Sequence, residues 1–183
     1  MRELFIFCLT CLFSLPLVRA QERKTADPAP KSMLDGQRLV VRDLNFNIQA
    51  PEGWVWLMLP VTDRQFRSFS AYNPAAEMGY AVNVAESQLS LTQATVQDFL
   101  DGMAEKLRSS GFSVQKVTLV STDIPIRASW RFSWKVTLPT GAIMYRFGYV
   151  TISKRIYSFT CFAERNAEPP AFLEFVKSFR VLQ

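Results

Sequence analysis

Histidine is absent from all 183 residues. That single gap removes the commonest general base, the usual proton shuttle and the usual transition-metal ligand together. Cysteine is nearly as scarce. Cys8 and Cys11 stand at a C-x-x-C spacing, but both lie inside an apolar N-terminal run, so the spacing is not read as a redox pair. Cys161 is the third, flanked by Thr160 and Phe162 in an apolar strand. With the other two removed by processing it has no disulfide partner. Without a histidine to activate it, it reads as a buried core thiol rather than a nucleophile. No G-x-S-x-G, phosphate-cradling glycine loop, metal-ligand spacing or dinucleotide fingerprint occurs, and no repeat or low-complexity segment. No cofactor or metal is expected.

What the chain does have begins at its start. Met1-Arg2-Glu3 precedes an apolar run from Leu4 to Leu17, then Val18-Arg19-Ala20 and a polar stretch. A basic start, a short apolar core and small residues near the junction are the parts of a secretory signal peptide. As a helix the run extends about 21 Å, against a hydrocarbon core of about 30 Å. It is too short to span comfortably. Residues 1–20 are therefore expected to be a signal peptide cleaved between Ala20 and Gln21, leaving no stable membrane span. Leu9-Thr10 before Cys11 fits a lipoprotein site poorly, so no lipid anchor is expected. The predicted address is periplasmic or extracellular.

Cleavage leaves 163 of the 183 residues, the size of one domain that buries about 70% of its unfolded surface. Apolar residues make up 49% and charged residues 20%, an ordinary globular composition. Of 21 basic and 16 acidic residues, Arg2, Arg19 and Glu3 fall in the signal, leaving 19 and 15 and a net charge of +4. The basic residues are scattered rather than gathered into a stripe, so nucleic acid is not an expected partner.

Residues 21–37 contain Asp27-Pro28-Ala29-Pro30 and no apolar period, which predicts a flexible leader before a domain over 38–183. Leu44-Asn45-Phe46-Asn47-Ile48 alternates and predicts a strand; Pro51-Glu52-Gly53 turns into a second, Trp54 to Leu59, ended by Pro60. Two more are predicted near Phe69–Asn73 and Tyr80–Glu86. Val96, Phe99, Leu100, Met103 and Leu107 form one helical stripe, with Thr95 and Asp98 as a cap pair and Gly111 as the C-cap glycine. Its other face mixes Gln97, Asp98, Asp101, Glu105, Lys106 and Arg108, unlike a basic membrane-surface helix. Strands follow at 113–121, 128–138, 142–153 and 156–163, then Phe172, Phe175, Val176 and Phe179 at helical spacing. This order predicts an α+β domain with a mainly antiparallel sheet.

The segment Ala50-Pro51-Glu52-Gly53-Trp54 resembles the strand and P-x-G-W opening of the PsbP-like superfamily, which includes PsbP and DcrB-type bacterial envelope proteins. The midchain helix, the long aromatic hairpin and the closing Phe175-Val176-Lys177-Ser178-Phe179-Arg180-Val181 are similar as well, so the likeness runs over about residues 38–182. The resemblance implies an antiparallel β-sheet flanked by helices, an αβα sandwich. It also implies a noncatalytic binding or assembly role with a protein partner in the envelope, and supplies no catalytic motif to carry over.

One constellation stands out. If Thr140-Gly141 form a two-residue turn, Leu138 faces Ile143, Val136 faces Tyr145, Trp134 faces Phe147 and Phe132 faces Tyr149, which gathers aromatics on one face. Lys135 then faces Arg146, with Arg131 further along the polar side. Like charges so placed call for an anion or acidic partner at Arg131, Lys135 and Arg146, or else for basic side chains paired with a covering helix. Asp98 and Asp101 read as helix-start residues rather than an acid–base pair. Trp54, Trp56, Trp130 and Trp134 read as core rather than as a ligand groove. The chain is thus expected to be a noncatalytic envelope binding protein. The alternatives are an enzyme that uses carboxylates and tyrosines without histidine, or a small-ligand carrier with an aromatic groove.

Overall fold

The computed structural model describes residues 27–58, 66–76, 78–86, 92–115, 118–152 and 155–182. The signal segment 1–20, the Ala20–Gln21 junction and the strand end expected at Pro60 lie outside them.

Two antiparallel sheets are present among the described residues. The large one takes strands β1 (Asp27–Pro28), β5 (Val55–Met58), β6 (Phe66–Asn73), β7 (Met78–Glu86), β12 (Arg155–Ala163), β11 (Ile143–Ile152), β10 (Ser129–Thr137) and β8 (Ser113–Val114) in that spatial order, with β9 (Thr118–Thr122) also on β10. The small one runs β13 (Arg180–Val181), β4 (Phe46–Gln49), β3 (Arg38–Val41) and β2 (Leu34–Asp35). The two α-helices among the described residues are α1 (Gln93–Ser109) and α2 (Pro170–Lys177).

The small sheet was not legible as such. The described part of the expected leader, 27–37, is built into the fold rather than detached from it. Asp27 and Pro28 pair with Met58 and Leu57, and Leu34 and Asp35 pair with Leu39 and Arg38. Of the small sheet's strands, β4 is the one expected from the Leu44–Ile48 alternation, whereas two-residue strands such as β2 and β13 are too short for any alternation and only their pairing reveals them.

Alternation of side chains across the large sheet divides the interior into two cores. On one face, Phe69, Tyr80, Val82, Phe147, Tyr149, Phe159 and Cys161 meet the small sheet and α2. Phe179 sits at the centre, with ring centroids 4.9 Å from Tyr157, 5.0 Å from Phe159 and 5.9 Å from Phe46. On the other face, Phe132, Trp134, Val136, Val150 and Phe162 meet the α1 stripe of Val96, Phe99, Leu100, Met103 and Leu107. The layers are therefore α1, large sheet, then small sheet with α2. Both faces of the central strands are covered, which explains why Tyr157 to Phe162 is buried without a break.

The α1 stripe is buried as its spacing predicts, but the N-cap lies three residues before the expected one. Thr92 is the N-cap: its Oγ1 accepts from the Thr95 N–H at 3.3 Å, and Thr95 Oγ1 accepts from the Thr92 N–H at 2.9 Å. This is a capping box with threonine in the place usually held by glutamate. At the other end Gly111 has φ +86, with Phe112 N–H bonded to Leu107 C=O and Gly111 N–H to Arg108 C=O, a complete Schellman closure. Asp98 and Asp101 are exposed on its outer face, and Asp101 accepts from Gln97 Nε2 at 3.0 Å. They face solvent and form no site.

Candidate functional site

The β10–β11 hairpin decides where the basic residues go. Its loop has three residues, not two: the Leu138 N–H bonds Ala142 C=O at 2.8 Å and the Gly141 N–H bonds Leu138 C=O at 2.9 Å. Gly141 adopts φ +83, the left-handed residue that a three-residue loop with a bulge requires. Pro139 follows Leu138, where a type I turn favours proline. The odd loop length moves the register by one residue from the pairing expected for a two-residue Thr140-Gly141 turn. Val136 pairs with Met144, Lys135 with Tyr145, Trp134 with Arg146 and Phe132 with Gly148.

The slip sends every β11 side chain to the opposite side of its expected partners. Arg131 and Lys135 lie on the face of Tyr145, Phe147 and Tyr149. Arg146 lies on the α1 face beside Trp134. The three residues do not converge, and the surface anion site expected from them is not formed in this arrangement. Burial does not exclude an arginine from the α1 face. Arg146 is 0% exposed, with its guanidinium carbon 5.2 Å from the ring centroids of both Trp134 and Phe162. Two aromatic faces can hold a guanidinium by stacking where a lysine would fit poorly.

Gly148 completes this geometry. A Cβ there would meet Phe132 Cζ at 2.2 Å and the Phe159 carbonyl oxygen at 2.6 Å, so the Phe132 ring occupies the space a side chain would need. The Phe132 ring itself lies 5.5 Å from that of Trp134.

Arg131 is used structurally. Its Nε donates to Glu168 Oε2 at 2.8 Å, while the Tyr149 hydroxyl donates to Glu168 Oε1 at 2.8 Å. Burial works against the Arg131 charge, but its hydrogen bond and attraction to Glu168 outweigh that and raise its pKa. Burial first, and then the Glu168 hydrogen bond and charge, push the Tyr149 hydroxyl well above its ordinary value. The cluster clamps the loop before α2 onto the sheet. Both carboxylate oxygens are engaged, so it offers no free base. Lys135 is half-buried opposite Tyr145.

Cys161 is fully buried, as its isolation predicts. Burial raises its pKa far above the usual thiol value, with the Glu168 charge adding to the effect. The Tyr80 hydroxyl is pushed up to about 12 by burial and, secondarily, by Cys161. Groups whose folded pKa exceeds the unfolded value stabilise the fold fully below the unfolded pKa, and lose that contribution as pH rises toward the folded one. Stability is therefore expected to hold to about pH 9 and to fall steadily toward pH 12. Thermal melts followed by circular dichroism across that window check it. Tyr80→Phe is expected to flatten part of the decline, and an unchanged slope would count against this cause.

No group of histidine, cysteine or carboxylate side chains that would hold a metal occurs among the described residues. No described helix is long and apolar enough to cross a membrane. Of the four tryptophans, Trp56 and Trp134 are buried and Trp54 and Trp130 are half-buried, so they line the cores rather than a common groove. Trp56 Nε1 donates to the Gln37 carbonyl at 3.0 Å.

No protein-family model matches the chain, and no curated protein does. Among solved structures it is similar to cyanobacterial PsbP (CyanoP) from Synechocystis sp. PCC 6803, with a TM-score of 0.54 over 79% of this chain and 91% of that one. The fold is PsbP-like. Sequence identity is 12%, so the likeness is one of architecture. The α+β class and the antiparallel sheet flanked by helices follow the PsbP-like expectation. The small sheet beside α2 makes one flank of the sandwich a mixed layer rather than a purely helical one.

Proposed function

We propose that this protein is a noncatalytic accessory protein of the cell envelope, exported through its N-terminal segment and working by contact with another protein. The observation that carries the reading is the PsbP-like fold, shared over 79% of the chain with cyanobacterial PsbP. The chemistry of the interior is consistent with it. The described polar cluster nearest to an acid–base site, Arg131–Glu168–Tyr149, is closed on itself. The one described thiol is buried with its pKa raised, the opposite of an activated nucleophile.

In-cell crosslinking of the exported protein tests this reading. A discrete adduct with one envelope protein is expected, formed by a mature chain whose N-terminal sequence starts at Gln21. Absence of any adduct, together with turnover of a substrate by the purified protein, would contradict it.

A further inference from the structure

Arg146 is a buried cation whose Nε, Nη1 and Nη2 have no hydrogen-bond partner among the described residues. The rings of Trp134 and Phe162 lie beside it on the two neighbouring strands. Stacking engages the π-face of a guanidinium and leaves its N–H groups, which lie in the plane, to be satisfied. A buried lysine can lose its proton to escape this cost; an arginine cannot. Burying an ionised group without an accepting partner is strongly unfavourable.

The surroundings share the same deficit. Trp134–Arg146–Phe162 form one row across β10, β11 and β12; Gly148–Thr160 form the next row and Val150–Ser158–Asn83 the one after, all on the α1 face. In these rows Trp134 Nε1, Asn83 Nδ2, Thr160 Oγ1 and Ser158 Oγ are also buried and unpartnered. The Asn83 Oδ1 acceptor is already taken by the Ser68 hydroxyl at 2.7 Å. Indole, amide and guanidinium N–H groups only donate, and hydroxyls donate as readily as they accept. The set is rich in donors and short of acceptors, the complement of an oxyanion.

We propose that the α1 face of the large sheet holds the carboxylate or phosphate group of a small acid, with the Arg146 guanidinium as its anchor and Thr160 as a second donor. This site lies on the opposite face of the sheet from Arg131 and Lys135. It is independent of the protein-contact reading, which fails in crosslinking and not in titration.

The test uses the exported wild-type protein with Arg146→Met and Thr160→Val. Thermal midpoints are followed while acetate, benzoate, octanoate and inorganic phosphate are each titrated at constant ionic strength. A ligand that binds only the folded state raises the midpoint with concentration. At least one probe is expected to do so in wild type; response to carboxylates alone or to phosphate alone identifies which group the site takes. Arg146→Met is expected to abolish the response and Thr160→Val to weaken the apparent affinity about tenfold, the loss of one hydrogen bond to a charged group. If no probe shifts wild type, or Arg146→Met responds equally, the site does not exist. Should Arg146→Met fail to fold, unchanged affinity in Thr160→Val overturns the proposal by itself.

Discussion

Gly148→Ala is expected to be among the most damaging single changes in the domain, although it adds only one methyl group. The added Cβ would stand 2.2 Å from the Phe132 ring and 2.6 Å from the Phe159 carbonyl oxygen. The ring is confined because Phe132 is 1% exposed, and the carbonyl belongs to the neighbouring strand β12. Neither contact is with the free end of a flexible side chain, so relief requires strands to separate. Overpacking of a well-filled core typically costs 1–3 kcal/mol, and a clash with backbone places this case at about 3 kcal/mol or more. Urea unfolding measures it through the midpoint. Phe132→Leu in the same chain is expected to recover part of the loss, because it removes the ring contact and leaves the carbonyl one. Gly141→Ala, which meets nothing within 4 Å but carries φ +83, is expected to cost about 1 kcal/mol from backbone strain alone. A Gly148→Ala protein within 1 kcal/mol of wild type would contradict the packing described for Phe132.

The second large effect is expected at Phe179. It is 0% exposed and follows α2, where its N–H bonds the Val176 carbonyl at 3.2 Å. Its ring touches Phe46 of the small sheet and Tyr157 and Phe159 of the large one. One side chain thus joins both sheets at the end of the second helix. Phe179→Ala removes the ring and leaves a cavity that three aromatic neighbours on two sheets cannot all collapse into. Truncation of a buried phenylalanine costs about 3–5 kcal/mol, which corresponds to a fall of about 10 °C or more in Tm for a domain of this size. A calorimetric scan decides between that and a local effect. Retention of Tm within 2–3 °C would mean that the two sheets are held together elsewhere.

What the sequence made legible followed from pattern length. The α1 stripe spans three turns and left no competing reading. The longer strands of the large sheet were placed to within a few residues, whereas Asp27–Pro28 fell in the expected leader and Ser113–Val114 and Thr118–Thr122 in one expected strand. The small sheet was hidden because strands such as Leu34–Asp35 and Arg180–Val181 contain too few residues for any period. The N-cap was misplaced because Thr92 and Thr95 are chemically alike, and only their reciprocal hydrogen bonds tell cap from third helical residue.

The hairpin register was not legible from burial alone. Burial on one face selects a register only when the other face is polar. In Ile143–Ile152 one set is Ile143, Tyr145, Phe147, Tyr149 and Thr151, and the other is Met144, Arg146, Gly148, Val150 and Ile152. Arg146 was the sole strong signal that the second set faces water, and it is buried. The loop carried the missing information. Leu138-Pro139-Thr140-Gly141-Ala142 has proline where a type I turn wants it and glycine two residues later, the signature of a three-residue hairpin. Giving loop chemistry precedence over burial would have brought Trp134 and Arg146 together from the sequence.

That register is the central claim, because it puts Arg146 on the α1 face and Arg131 and Lys135 on the other. Cross-strand Hα–Hα nuclear Overhauser effects in the β10–β11 hairpin test it directly. Only non-hydrogen-bonded pairs of an antiparallel ladder bring Cα atoms to about 4.5 Å, and the Leu138–Ala142 pair is hydrogen-bonded. Strong contacts are therefore expected for Lys135–Tyr145, Ser133–Phe147 and Arg131–Tyr149. Strong contacts for Val136–Tyr145, Trp134–Phe147 or Phe132–Tyr149 instead, the non-hydrogen-bonded pairs of the alternative register, would restore the two-residue turn, return Arg146 to the polar face and contradict the account.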